Sequence, residues 1–271
     1  MSVISLISDW NFADYYIGAV KGYILSNCPD AKIIDINNQI SNYNISQTAF
    51  VLENTYKNFP EGTVHIVAVN SNYSEKNPHV IIKHDNHFFI GTDNGIFNLF
   101  IKEKPEIIIE IENNYKDSSF PELDVFAPIA CKLINNEPIE SLGKIINELH
   151  KQIPILPAIE DSLIIGKVIY IDSYGNIITN VTKDLFEKVG KNRGFNIFVQ
   201  SKSNKISKIS KTYTQTAQGE LLALFNSANY LEIAIRNGNA AELFRLTTNS
   251  SIRIVYNDNK NSENDIQGRL F

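Results

Sequence analysis

The chain changes texture once, and that change limits what it can fold into. From Ser2 to His150, short apolar runs alternate with stretches of helical periodicity; beyond that, short apolar runs follow one another with little between them. SVISLIS reads as a strand ending at Asp9. YYIGAVKGYILSNC has apolar residues at helical spacing and stops at Pro29 and Asp30. AKIIDI is a second strand, and ISQTAFVLENTYKNF a second helix with Ser46 as its N-cap. A turn at Pro60, Glu61 and Gly62 leads into TVHIVAV. HVIIK and HFFIG form a hairpin about Asp85 and Asn86. Asp93-Asn94-Gly95 opens the short helix IFNLFI, EIIIEI is a further strand, and VFAPIACKLIN a further helix. Strands interleaved with helices predict a mostly parallel sheet with helices on its faces.

The proline-bearing stretch KQIPILPAIED reads as a linker. It separates an α/β domain, residues 1–155, from a smaller all-β barrel or sandwich, residues 156–271. IIGKVIYI, IITNV, FNIFV, ELLALF, YLEIAI and SIRIVY are the strands of the second domain, with one short helix around NAAELF. The polar tail NDNKNSENDIQ is expected to fray.

Composition removes several classes of function. The formal net charge is −5 from 25 basic and 30 acidic residues, with no basic stripe, so nucleic acid is not the expected partner. The five His fall at no metal-ligand spacing, and Cys28 and Cys131 make neither a disulfide framework nor a zinc site. No metal or cofactor is expected. MSVISLISDW lacks a basic n-region, and no apolar run reaches the roughly 20 residues of a membrane span. The expectation is a cytoplasmic protein without membrane contact.

Three clusters carry candidate chemistry. Asp9 stands where the first strand ends, the place where open α/β sheets bind ligands, and a carboxylate there can accept both hydroxyls of a ribose. Asp14 follows at the start of the next helix; either Asp also fits an N-cap. Asp93-Asn94-Gly95 taken alone is an ordinary strand-to-helix turn. Asp172-Ser173-Tyr174-Gly175-Asn176 is either a plain hairpin turn or an aromatic face for a base beside an amide that pairs with an adenine edge.

Six segments in order resemble the S-adenosylmethionine hydroxide adenosyltransferase family, whose cousins are the nucleoside fluorinase and chlorinase: LISDWNFADYYIGAVKG, GTVHIVAVN, GTDNGIFNL, FPELDVFAPIACKL, VIYIDSYGNIITNV and FNSANYLEIAIRNGNAAEL. The resemblance implies an α/β domain, a C-terminal β-barrel and a homotrimer. The ligand then lies between the first domain of one subunit and the second domain of its neighbour. It implies S-adenosylmethionine or adenosine as ligand and hydrolysis to adenosine and methionine as reaction. The alternative is a trimer that binds without catalysis. Asp9 is implied to hold the ribose, Asp14 and Asp172 to approach the methionine ammonium, Tyr174 to stack on adenine, Asn176 to pair with its edge, and Ser227 to contact the methionine end.

The family's hydrolases carry an Asp-Arg-His trio around the attacking water, and none of the three is matched. The Asp position is Asn70; Lys76, Asn77, Pro78 and His79 offer no Arg; Pro121 stands for the His. The extra loop of the halogenases is missing too. Departure of a neutral thioether needs no general acid, so the remaining task is to place and deprotonate a water. Glu122 is the best candidate for a substitute base, and Asn70, Tyr73, Lys76 or His79 are candidates to orient the water, each of them, Glu122 included, with the plain alternative of a solvated loop residue.

Overall fold

The computed structural model describes residues 2–112 and 117–257; most of the tail expected to fray lies outside them. The chain divides into two compact units, Met1–Pro154 and Ile155–Phe271.

The first unit runs β1 (Val3–Ser8), α1 (Tyr15–Asn27), β2 (Lys32–Asn37), α2 (Ile45–Glu53), β3 (Val64–Ala68), β4 (His79–His84), β5 (His87–Thr92), α3 (Ile96–Phe100), β6 (Ile107–Ile111), α4 (Ala127–Ile134) and β7 (Gly143–Ile145). Its sheet has the order β2-β1-β3-β5-β4-β6-β7. In that order the first three pairings are parallel and the last three antiparallel. The reversal comes from the β4–β5 hairpin, whose two loop residues, Asp85 (φ 50) and Asn86 (φ 61), both take the left-handed conformation of a type I′ turn.

Strand alternation sorts the core onto two faces. Ile4 and Leu6 of β1 pack with Ile17, Val20 and Ile24 of α1 and with Ile129 and Ala130 of α4. Ile7 points the other way, toward Ala49 and Leu52 of α2 and Ile96 and Phe97 of α3. Each fully buried aliphatic contributes about 1.5–3 kcal/mol, so the three buried apolar residues of α1 alone anchor it firmly. Cys28 and Cys131, far apart in sequence, are both buried free thiols of this core. Burial, with the Cys28 thiol alongside, pushes the Cys131 thiol up to about 12.

The second unit runs β8 (Ala158–Glu160), β9 (Leu163–Ile171), β10 (Ile177–Thr182), α5 (Lys183–Gly190), β11 (Phe195–Val199), β12 (Lys205–Ile206), β13 (Leu221–Phe225), β14 (Tyr230–Ile235), α6 (Ala240–Leu243) and β15 (Ser251–Tyr256). The strand order is β12-β11-β15-β9-β10-β14-β13, every pairing antiparallel, with β8 added on β9. Just past β12, Ile209 bridges Ala223 of β13, so the two edge strands meet and the sheet nearly closes into a barrel.

Four local expectations need correction. The cap of α2 is Asn44, whose side chain accepts from Gln47 N at 3.0 Å, because the helix begins one residue before Ser46. The same helix stops at Glu53, and a 3-10 turn follows at Tyr56–Asn58. Residues 158–160 of the expected linker are strand β8, which escapes Pro157 by starting after it. The barrel unit also carries a second helix, α5: Thr182 accepts from Leu185 N at 3.3 Å, Asp184 sits in its first turn and Lys188 in its last.

Candidate functional site

The sequence-predicted residues fall into two groups, one in each unit. In the first, Asp9 follows β1 and its carboxylate organises two loops. Its Oδ2 accepts from Tyr43 N at 2.9 Å and from Asn70 N at 3.4 Å. Both donors sit in left-handed backbone, Tyr43 at φ 61 and Asn70 at φ 50, so the strained amides converge on one charge. Asp14 occupies the N-cap position of α1, but its carboxylate turns back to accept from Asn11 N at 3.1 Å and makes no cap bond to the helix. Asp9 and Asp14 line one hollow of about 330 Å³ with Trp10, Asn11, Gln39 and Asn42.

Asn70 is pinned from behind. Its carbonyl accepts from Asn94 Nδ2 at 3.0 Å, and Asn94 Oδ1 meets Ile96 N at 3.3 Å at the start of α3. The neighbouring Asp93 accepts from His150 N at 2.8 Å, and burial raises its pKa. The Asp-Asn-Gly turn thus serves as the brace of the Asn70 loop. Ser71 is braced as well: its carbonyl accepts from His79 Nε2 at 3.0 Å and from Thr92 Oγ1 at 2.9 Å. His79 is therefore a buried strand residue and not a solvated one, its ring edge-on to Phe126 at 4.9 Å. Lys76 is exposed.

Glu122 opens a π-helical turn, Glu122–Phe126, that runs into α4. Such turns re-aim side chains and recur at functional sites. Glu122 is 5% exposed. Burial raises its pKa, and the charge of Asp9 raises it further. The Ser71 hydroxyl offsets part of this rise, yet Ser71 Oγ is buried without a hydrogen bond of good geometry. The fold thus brings Asp9, Ser71 and Glu122 together from three separate segments. Beside them Trp10, Tyr15 and Tyr16 pack around Phe120. Neither Ser71 nor this aromatic group is marked by any local motif.

In the second unit Asp172 closes the β9–β10 connection upon itself. Its Oδ1 accepts from Tyr174 N and Asn176 N, both at 2.9 Å, and its Oδ2 from Asn176 Nδ2 at 2.9 Å. This leaves Tyr174 77% exposed while Asn176 is buried. Gly175, at φ 77, lies so close to α6 that a Cβ there would stand 1.9 Å from Asn239 Oδ1. Its carbonyl accepts from Ala241 N at 3.0 Å. Asp172, Tyr174 and Asn176 line a cavity of about 630 Å³ with Tyr213, Arg236 and Asn237 among others. Ser227 lies outside that lining, exposed in the β13–β14 turn that Asn226 Oδ1 holds by accepting from Ala228 N and Tyr230 N, both at 3.1 Å. Behind Tyr213, Glu232 is buried, bonded by the Tyr213 phenol and by Asn226 Nδ2.

Among the described residues no cluster of three or more His, Cys, Asp or Glu suits a metal ion, and no helix is long and apolar enough to cross a membrane. The chain thus consists of an α/β unit with a carboxylate at the end of its first strand and a near-closed antiparallel barrel with an Asp-bound aromatic loop. Residues 4–143 match the SAM hydroxide adenosyltransferase N-terminal domain and residues 166–253 the C-terminal domain, and the chain belongs to that family. It is similar to the (R)-S-adenosyl-L-methionine hydrolase of Methanocaldococcus jannaschii, 31% identical over 94% of this chain and 97% of the relative. A fluorinase of Nocardia brasiliensis is 23% identical over 93% of this chain and 96% of its own. The crystal structure of an uncharacterized conserved protein from Thermotoga maritima superposes with a TM-score of 0.82 at 29% identity, covering 93% of this chain and 99% of the other.

Proposed function

We propose that this chain hydrolyses S-adenosyl-L-methionine to adenosine and methionine, with Glu122 as the base. The observation that carries the reading is the buried Glu122 carboxyl gathered with Asp9 and Ser71 in a chain of the SAM hydroxide adenosyltransferase family. Asp9 holds the ribose hydroxyls through the oxygen that Tyr43 and Asn70 leave free. Asp14 and Asp172 face the methionine ammonium, Tyr174 stacks on adenine, Asn176 pairs with its edge, and Ser227 meets the methionine end. Chains assemble as a homotrimer in the cytoplasm.

In the reaction, a water oxygen attacks C5′ in line with the C5′–S bond. That bond breaks, its electron pair stays on sulfur, and methionine leaves as a neutral thioether. The water's proton passes to Glu122. In the free protein burial favours the protonated carboxyl; the sulfonium of a bound substrate favours the ionised one, so substrate charge readies the base. Asn70 has no useful basicity and orients the water.

The replacement of all three trio positions favours a second reading, a protein that binds the ligand without turnover. Overnight incubation with either sulfonium epimer, followed by chromatography, separates the two. Adenosine formed in proportion to protein, and lost in Glu122→Gln, supports hydrolysis. Intact ligand together with tight binding by calorimetry supports the second reading. Sedimentation tests the trimer.

A further inference from the structure

We propose that Glu232 sets the preference of the barrel unit's cavity for a positively charged adenosyl ligand over a neutral one. The inference rests on the reading of that cavity as an adenosyl site. Glu232 sits mid-strand on β14, opposite Ile178 of β10 and Leu224 of β13, where an aliphatic side chain would pack without penalty. It is 4% exposed. One carboxylate oxygen accepts from the Tyr213 phenol and the other from Asn226 Nδ2 at 3.3 Å.

Both donors are neutral, and among the described residues Glu232 enters no ion pair. Burial raises its pKa, the two hydrogen bonds offset part of that rise, and the like charge of Asp172 adds to it. Tyr213 and Asp172 both line the 630 Å³ cavity. Arg236 lines it too, its Nη1 turned to the Thr216 carbonyl at 2.6 Å and its charge intact. Asp172 thus stands in the cavity wall and Glu232 behind Tyr213, two carboxylates against the one guanidinium of Arg236. A cation in the cavity gains from a nearby carboxylate that no ion pair already neutralises. A sulfonium or ammonium does so, and adenosine offers neither.

The test is calorimetry on the full chain with S-adenosylmethionine and with adenosine. Glu232→Gln should weaken S-adenosylmethionine by about tenfold, the scale of one partly screened charge pair, and leave adenosine within about twofold. Tyr213→Phe, which keeps the charge, should retain the preference. In the wild type the affinity ratio should fall on acidification, as Glu232 takes up a proton, whether or not the variants fold. Equal weakening of both ligands, with a lowered melting temperature, means that Glu232 only supports the barrel and overturns the proposal. So does an affinity ratio that neither the variant nor pH moves. A wild-type protein that binds neither ligand removes the cavity reading and this inference together; binding with an unchanged ratio removes this inference alone.

Discussion

Gly175→Ala is the substitution whose cost the structure specifies best. At φ 77 an alanine enters the left-handed region, which costs an L-residue about 1–2 kcal/mol. Its Cβ would also fall 1.9 Å from Asn239 Oδ1, far inside contact distance, so the Asn239 side chain must leave. That side chain caps α6 by accepting from Glu242 N at 2.9 Å, and losing such a cap costs about 1 kcal/mol. The sum is about 2–3 kcal/mol. Urea denaturation followed by circular dichroism reads it. Trp10, the single tryptophan, lies in the other unit and serves as reference. A double-mutant cycle isolates the clash. In an Asn239→Ala background the cap is already gone and the space open, so Gly175→Ala should cost only the backbone share of about 1–2 kcal/mol. Additive costs in that cycle, or a single-variant loss below about 1 kcal/mol, would refute the reasoning.

Glu122, its pKa raised by burial, contributes stability below the ordinary Glu range of about 4.3 and loses it as pH rises through the raised value. Glu122→Gln should therefore melt higher than the wild type on the alkaline side and converge with it on the acid side; parallel curves would contradict this. His65, bonded to Ser5 Oγ and His87 Nδ1, is held neutral by burial with a pKa lowered to about 3. Its stabilising share is present above about 6.5 and lost as pH falls from there toward 3, at about 1.4 kcal/mol per unit. His65→Phe should flatten acid denaturation in that window, and an unchanged acid midpoint would count against it. Asp9→Ala strips two left-handed amides of their acceptor and should cost about 1–3 kcal/mol of stability as well as ligand affinity, measured by melting and calorimetry.

What was legible in the chain was local. Asp85-Asn86 announced a hairpin because both residues tolerate left-handed backbone, and the Asp172 to Asn176 spacing announced a turn because an Asp side chain caps its own loop. Ser46 and Asn44 have equal capping chemistry two residues apart, so sequence alone does not choose between them, and the cap falls to Asn44. Helix α5 stayed hidden because its cap, Thr182, is also the last residue of a β-branched strand. The meeting of Asp9, Ser71 and Glu122 had no sequence signal, since it depends on which strands neighbour β1 and on a π turn that no spacing foretells. Nothing in the strand YLEIAI singles out Glu232, because its partner Tyr213 sits in a loop of no regular pattern.

The left-handed backbone at Asn70 has an evolutionary consequence. Asn and Asp are the non-glycine residues that enter this conformation most readily, and they have nearly the same volume. The resemblance puts Asp here in the family's hydrolases. Exchange between the two alters one unit of charge beside Asp9 while the amide bond to Asp9 and the carbonyl bond from Asn94 stay in place. A single base change in the codon makes the exchange in either direction. A lineage can therefore gain or surrender charge at this loop without passing through an unfoldable intermediate, and its descendants share a shape while differing in chemistry.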